Sequence, residues 1–281
     1  AHSSFLIHKD FIYINTGNGV DNTHRKIRAP DAPSLIALEK TTGRLVAMDD
    51  ERIGPRIFHC TWSSPALAVV NGKELVIFCG GDGVVYAFEA LNTAPPQGEV
   101  LKFKRVWRFD CDPEAPKENV HRYVGNRNES PSNIKSMPVV YKNRIYVTAG
   151  GDEWWGKNKA FLFCIDATKT GDITTSGKLW SCPLKSHCMS SPTIYNGLVF
   201  VGDSGGNINC IDAETGEKIW VQETKGTIWA SPLVADGKVY VGTRRGDFWV
   251  MSASREKSAL HTIDLGSPIS SSAVAANQTL Y

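Results

Sequence analysis

Residues 190–229 read as four short, mostly apolar segments cut by three turn signals: Asn196-Gly197, Asp203-Ser-Gly-Gly206 and Ala213-Glu-Thr-Gly216. An Asn-Gly pair between apolar runs marks a hairpin, because both central residues of a type I′ turn take positive φ. Four strands in about forty residues, joined only by tight turns, make an antiparallel meander. Forty residues later the pattern starts again. Ser191-Pro192 returns as Ser231-Pro232 and once more as Ser271-Ser272, and Tyr195-Asn-Gly-Leu-Val-Phe-Val-Gly202 returns as Ala235-Asp-Gly-Lys-Val-Tyr-Val-Gly242. Earlier copies open at Ser4, at Ser64-Pro65 and at Met137-Pro138, and the last two close on Trp107 and Trp180.

A forty-residue, four-strand repeat is the signature of a β-propeller blade. The expected fold is therefore all-β, with units at about 3–47, 62–109, 136–183, 190–222 and 230–265 and the opening hairpin of a sixth at 270–281. A ring does not close on five and a half blades without exposing strand edges. The expectation is a part of a seven- or eight-bladed protein, incomplete at both ends. The second segment of each unit (residues 75–78, 198–201, 239–241) is apolar on consecutive residues, as a strand covered on both faces should be. Trp107, Trp180 and Trp220 are expected to wedge between neighbouring blades, with Leu260 in that place in the fifth.

Cys210-Ile-Asp-Ala-Glu-Thr-Gly-Glu-Lys-Ile-Trp220, Cys164-Ile-Asp-Ala-Thr-Lys-Thr-Gly171 and Leu38-Glu-Lys-Thr-Thr-Gly-Arg-Leu45 resemble the A-x-D-x-x-T-G-x-x-x-W core of PQQ-like repeats. Such repeats build the quinoprotein alcohol dehydrogenase propeller and the BamB propeller. Gly17-Asn-Gly-Val-Asp21, Asp31-Ala-Pro-Ser-Leu35, Gly54-Pro-Arg56, the stretch 151–157 and Leu265-Gly-Ser-Pro-Ile269 are further similar to planctomycete-type PQQ-binding-like propeller proteins. The resemblance implies a structural role for Asp166, Asp212, Gly216, Trp107, Trp180 and Trp220. It also implies a periplasmic or envelope setting. It says little about activity, since one superfold hosts many.

A net charge of +2 over 281 residues is no electrostatic footprint for nucleic acid. No run of eighteen apolar residues is present to span a membrane as a helix. Of seven cysteines, Cys79, Cys164 and Cys210 fall in strand segments and read as buried small hydrophobes. Cys60, Cys111, Cys182 and Cys188 fall at strand ends or in loops, where a Cys182–Cys188 disulfide stays open.

Turns in an up-and-down blade alternate between its two ends, so insertions can be assigned to faces. From Pro to Trp the fourth unit takes 28 residues (192 to 220), but the second and third take 42 (65 to 107 and 138 to 180). Trp to the next Pro is 12 residues at 180–192 but 31 at 107–138. Most of the excess, residues 15–33, 48–61, 110–135 and 152–159, falls on the face of the Asp203 turn. Only 91–103 and 172–176 enlarge the other face. Repeat proteins gather binding loops on one face.

The loop-rich face offers Asn18, Asp21, His24, Arg56, His121, Arg127, Asp152, Trp154, Trp155, His187, Trp229 and Arg244 as candidate partner- or ligand-binding residues, with Arg25, His59, Arg122 and Arg245 beside them. Each also has a packing explanation. Trp154-Trp155 either cap a blade or form a recognition platform, Trp229 either lines the central channel or wedges between blades, and Arg244-Arg245 read as a solvated pair. The histidines lack metal-ligand spacing, so no metal site is expected. A quinoprotein oxidoreductase needs PQQ stacked on an aromatic and Ca²⁺ held by carboxylate and amide oxygens. No adjacent cysteine pair or H-E-x-x-H is present. The expectation is a non-catalytic, cofactor-free scaffold binding a protein partner or envelope ligand. The alternatives are a PQQ- and Ca²⁺-dependent dehydrogenase, or a carbohydrate binder with Trp154 and Trp155 stacked on sugar faces.

Overall fold

The computed structural model describes residues 3–21, 23 and 26–281. Five antiparallel meanders follow one another along the chain. Blade 1 is Leu6–His8, Phe11–Asn15, Leu35–Glu39 and Leu45–Met48; blade 2 is Ala66–Val70, Lys73–Cys79, Val84–Glu89 and Arg105–Asp110. Blade 3 is Val139–Tyr141, Arg144–Gly151, Ala160–Asp166 and Lys178–Leu184. Blades 4 (Thr193–Tyr195, Leu198–Gly202, Asn207–Asp212, Lys218–Glu223) and 5 (Leu233–Ala235, Lys238–Gly242, Asp247–Ser252, Ala259–Asp264) carry no insertions. The hairpin Ala275–Ala276 and Thr279–Leu280 follows them. The chain is a β-propeller array. Among the described residues the helical segments are three 3₁₀ turns, Gly17–Gly19, Gly54–Arg56 and Val120–Tyr123, and none is long or apolar enough to cross a membrane.

The hairpin signals act as their chemistry requires. Asn196 and Gly197 have φ of 49° and 76°, and Asp236 and Gly237 have 49° and 66°, the left-handed conformation of a type I′ turn. Consecutive apolar residues in each second strand alternate between two cores. Leu75, Ile77 and Cys79 join the core between blades 2 and 3, while Val76 and Phe78 join the core between blades 1 and 2. Val199 and Val201 face blade 3, and Leu198 and Phe200 face blade 5. Four inter-blade cores result, and they account for the absence of polar alternation.

The closing tryptophans bridge these cores. Trp107 is fully buried and donates its indole N–H to Ala167 O of blade 3 at 3.2 Å; Trp220 donates to Ser254 O of blade 5 at 2.9 Å. In blade 5 the register corrects the expectation for Leu260. His261 stands opposite Val250 as Trp220 stands opposite Cys210, and Leu260, 50% exposed, occupies the bulge that Ile219 occupies in blade 4. The repeat slips by one residue at each such bulge, which spacing alone does not reveal. Cys182 and Cys188 share the core between blades 3 and 4, and all seven cysteines are buried free thiols, so the disulfide left open above is not formed.

The Ser-Pro pairs clasp neighbouring blades at their inner strands. Ser64 Oγ accepts the Ser4 amide at 2.8 Å, Ser191 Oγ accepts Met137 N at 2.8 Å, and Ser231 and Ser272 Oγ accept Ser191 N and Ser231 N at 2.9 Å. The proline after Ser64, Ser191 and Ser231 lacks an N–H, which an inner edge strand tolerates. Outer edges are covered differently. Leu101–Lys102 adds a short parallel strand to the outer strand of blade 1, and Gly171–Asp172 does the same for blade 2. Both insertions on the loop-poor face are thus edge covers. Where blades 4 and 5 lack them, Pro183 interrupts the edge of blade 3, Lys218 Nζ bonds Pro183 O at 2.7 Å, and Lys257 Nζ reaches Val221 O at 3.4 Å. Proline and lysine are the usual means of blunting a strand edge.

Candidate functional site: an aromatic and charged cluster on the loop-rich face

A side-chain oxygen caps the turn that follows each second strand. Asn15 Oδ1 takes Gly17 N, Asp82 Oδ1 takes Val84 N, Asp203 Oδ1 takes Asn207 N and Thr243 Oγ1 takes Arg245 N. Asp152 is the blade 3 member, and its Oδ1 accepts both Trp154 N (3.0 Å) and Trp155 N (3.1 Å). The turn is fixed a second time from the 110–135 crossover. Arg127 donates to the carbonyls of Glu153 (2.9 Å), Gly156 (3.1 Å) and Trp154 (2.7 Å), and Gly125 N donates to Trp155 O at 2.8 Å. Two large insertions therefore exist as one unit.

The second oxygen of Asp152 is where the charges meet. Oδ2 accepts His59 Nδ1 at 2.5 Å, Lys135 Nζ at 2.8 Å and Asn133 Nδ2 at 3.3 Å, all in a buried setting. Burial alone would raise this carboxyl. The His59 hydrogen bond and the Lys135 charge outweigh it and hold Asp152 far below the usual carboxylate range. Lys135 also lies over Trp154 (4.7 Å to the ring centroid) and Trp62 (5.5 Å), so its charge is met on three sides. His59 stacks on Trp155 (4.6 Å, 28°) and meets Trp62 and Trp154 edgewise at 5.3 and 5.2 Å. Trp154 in turn meets Trp229 edgewise at 6.2 Å, and the Arg244 guanidinium sits 4.3 Å from the centre of the Trp229 ring.

One repeat position supplies much of this. Trp62, Lys135 and Trp229 each stand two residues before the ladder residues Ser64, Met137 and Ser231. That is where a crossover turns into an inner strand. Side chains from the crossovers into blades 2, 3 and 5 all meet on Trp154 or its neighbours, which requires a location near the axis of the array. On the blade 4 side, Glu153 pairs with His187 Nε2 at 2.8 Å and takes the Ser204 hydroxyl at 3.4 Å. Burial would raise the Glu153 carboxyl, but His187 draws it below its ordinary value.

The structure thus brings together Arg127, Asp152, Trp154, Trp155, His187, Trp229 and Arg244. Other candidates fall elsewhere. Asn18 is buried and braces its own loop, donating to Ala29 O and Ala32 O and accepting from Ser34 Oγ. Arg56 bonds Asp82 Oδ2 through Nε (3.0 Å) and Nη2 (2.8 Å) beside Tyr86, whose phenol burial pushes well up. His121 packs on Phe58, and burial lowers its imidazole. Asp21 accepts from Thr23. His24 lies outside the described residues. Trp62, Lys135 and Asn133 were not anticipated, although aligning Trp62, Lys135 and Trp229 on the ladder residues would have found the first two.

The cluster is a platform with a buried base. A cavity of about 450 Å³ at the rim between blades 2 and 3, floored by Phe161 and Phe163, shares none of its residues. Among the described residues, no three His, Cys, Asp or Glu side chains converge as metal ligands.

Comparison with known proteins agrees with the architecture. The sequence profile of the outer membrane protein assembly factor BamB matches residues 169–275. BamB from Moraxella catarrhalis superposes over 99% of this chain and 67% of its own, with a TM-score of 0.62 and 15% identity. The computationally designed Ika8 protein matches over 99% of this chain and 66% of its own (TM-score 0.64, 12% identity). Quinohemoprotein alcohol dehydrogenase from Comamonas testosteroni matches over 95% of this chain and 45% of its own (0.61, 13%). The chain therefore spans about two thirds of the first two and under half of the third, and identities this low carry the fold alone. No curated protein matches the chain.

Proposed function

We propose that this PQQ-like β-propeller is a non-catalytic binding scaffold of the cell envelope, and that it engages a partner or ligand through the face built on Trp154. The observation that carries this is the rigidity of an exposed aromatic. Trp154 is 38% exposed, yet its turn is held by two hydrogen bonds that Asp152 accepts and three that Arg127 donates, and its ring is braced by Trp62 and Trp229. Preorganised tryptophan beside arginine is the composition of binding hot spots, because little conformational entropy is lost on association. The match to the outer membrane protein assembly factor profile supports the envelope setting.

The cluster does not fit a calcium–quinone centre. Ca²⁺ takes six to eight oxygen ligands, whereas Asp152 Oδ2 is shared by three nitrogen donors and the Lys135 ammonium lies 2.8 Å away. Incubation with PQQ and Ca²⁺ should give neither cofactor absorbance nor alcohol-dependent dye reduction. The binding face itself is tested by placing a photo-cross-linking residue at Trp154, or at Tyr195 on the opposite face, in the native host. Adducts are expected from 154; adducts from 195 alone would place the interaction on the wrong side.

A further inference from the structure

We propose that the ligand of this face is an acidic carbohydrate, a uronic acid-containing glycan, stacked on Trp154 and bound through its carboxylate by Arg244. The inference rests on the binding role assigned to the face above and names its chemistry. Two features point to it. The Arg244 guanidinium is exposed, stacked 4.3 Å over Trp229 and tethered by Nη1 to Ser270 Oγ at 2.6 Å. Among the described residues no carboxylate lies within ion-pair distance of it or of neighbouring Arg245. An oriented guanidinium with unspent donors is suited to a carboxylate.

The second is the exposed ring itself. Trp154 is 38% exposed and is held edgewise by Trp62 and Trp229, which sets one flat ring beside the guanidinium. A flat aromatic surface of this kind suits the C–H face of a sugar ring. The anionic partner needed deeper in the site is already present, since Asp152 neutralises Lys135 and Glu153 pairs with His187. The uncompensated charge at the rim is positive.

Titration of the full chain with tetragalacturonic acid, its methyl ester and a tetraglutamate peptide, followed by tryptophan fluorescence and calorimetry, decides the matter. The acid should bind at least about tenfold more tightly than the ester, a difference of one charge-assisted contact. Arg244→Gln should abolish that preference by weakening the acid far more than the ester. Trp154→Ala should weaken acid and ester alike, with circular dichroism unchanged. Equal binding of acid and ester would overturn the role of Arg244, and tetraglutamate binding as tightly as the sugar acid would reduce the site to charge alone. Absence of saccharide binding by the folded protein would overturn the proposal outright. Cross-linking from position 154 would still report separately on whether the face binds anything.

Discussion

Asp152 and Asp203 both cap the turn after a second strand, in opposite electrostatic settings. Asp203 accepts only neutral donors, Asn209 Nδ2 and the Asn207 and Lys185 amides, and burial raises its carboxyl. Asp152, equally buried, faces His59 and Lys135 and is lowered. Asp152→Asn should therefore cost about 3–5 kcal/mol at neutral pH, because it leaves Lys135 buried without its counter-charge. Asp203→Asn should cost no more than about 1–2 kcal/mol, since it trades one acceptor for the removal of a buried charge. Urea unfolding measures both. The pH dependences should run in opposite directions. The stabilisation from Asp152 is complete above the unfolded carboxylate value of about 4 and is lost as pH falls through its lower folded value. The contribution of Asp203 is complete below about 4 and is lost as pH rises through its raised folded value. Asp152→Asn should thus flatten the acid limb of the stability curve, and an unaltered limb would contradict the pairing. At this scale the sequence was half legible. Trp154, Trp229 and Arg244 stand out as loop residues, but Lys135 reads as an ordinary solvated cation until the 110–135 crossover folds it under Trp154. Its partners Asp152 and Trp62 lie 17 and 73 residues away.

Turns were the most legible elements, because their chemistry is local. Gly197 and Gly216 both have φ of 76°. A Cβ at Gly197 would meet open space, whereas at Gly216 it would lie 2.6 Å from the Trp180 indole. The Thr-Gly of the repeat is thus a turn residue and a seat for the preceding blade's tryptophan. Gly197→Ala should cost about 1–2 kcal/mol for the left-handed backbone, and Gly216→Ala clearly more; equal costs in thermal unfolding would show that the Trp180 contact is unimportant. The insertions were harder to interpret. Residues 91–103 and 172–176 are visible as surplus length, but length does not show that they run back to cover a neighbouring edge. Replacing residues 171–177 by a two-residue turn should uncover the outer strand of blade 2 and remove the Arg108–Asp172 pair. The expected result is loss of about 1–3 kcal/mol, with increased light scattering on heating. Retention of both stability and solubility would argue against an edge-covering role.

Across the whole molecule, four inter-blade cores, a serine ladder at the inner strands and edge covers at the outer strands make each blade depend on its neighbours. The propeller class follows from the forty-residue period because a meander covered on both faces can bury them only by stacking. The site follows less directly, since it is assembled across the crossovers into blades 2, 3 and 5 around the insertions of blade 3. Its insertions do collect on one face, and that face carries the only cluster among the described residues in which exposed tryptophan, exposed arginine and a buried ion pair meet. Trp154 and Tyr195 make a matched pair for testing it, being 38% and 36% exposed on opposite faces. Cross-linking from these two positions in the native host is the most direct measurement. Adducts from position 154 that disappear when Asp152→Ala removes the acceptor that holds its turn, with none from 195, are the predicted result. Adducts from 195 with none from 154 would contradict the assignment of function to the loop-rich face.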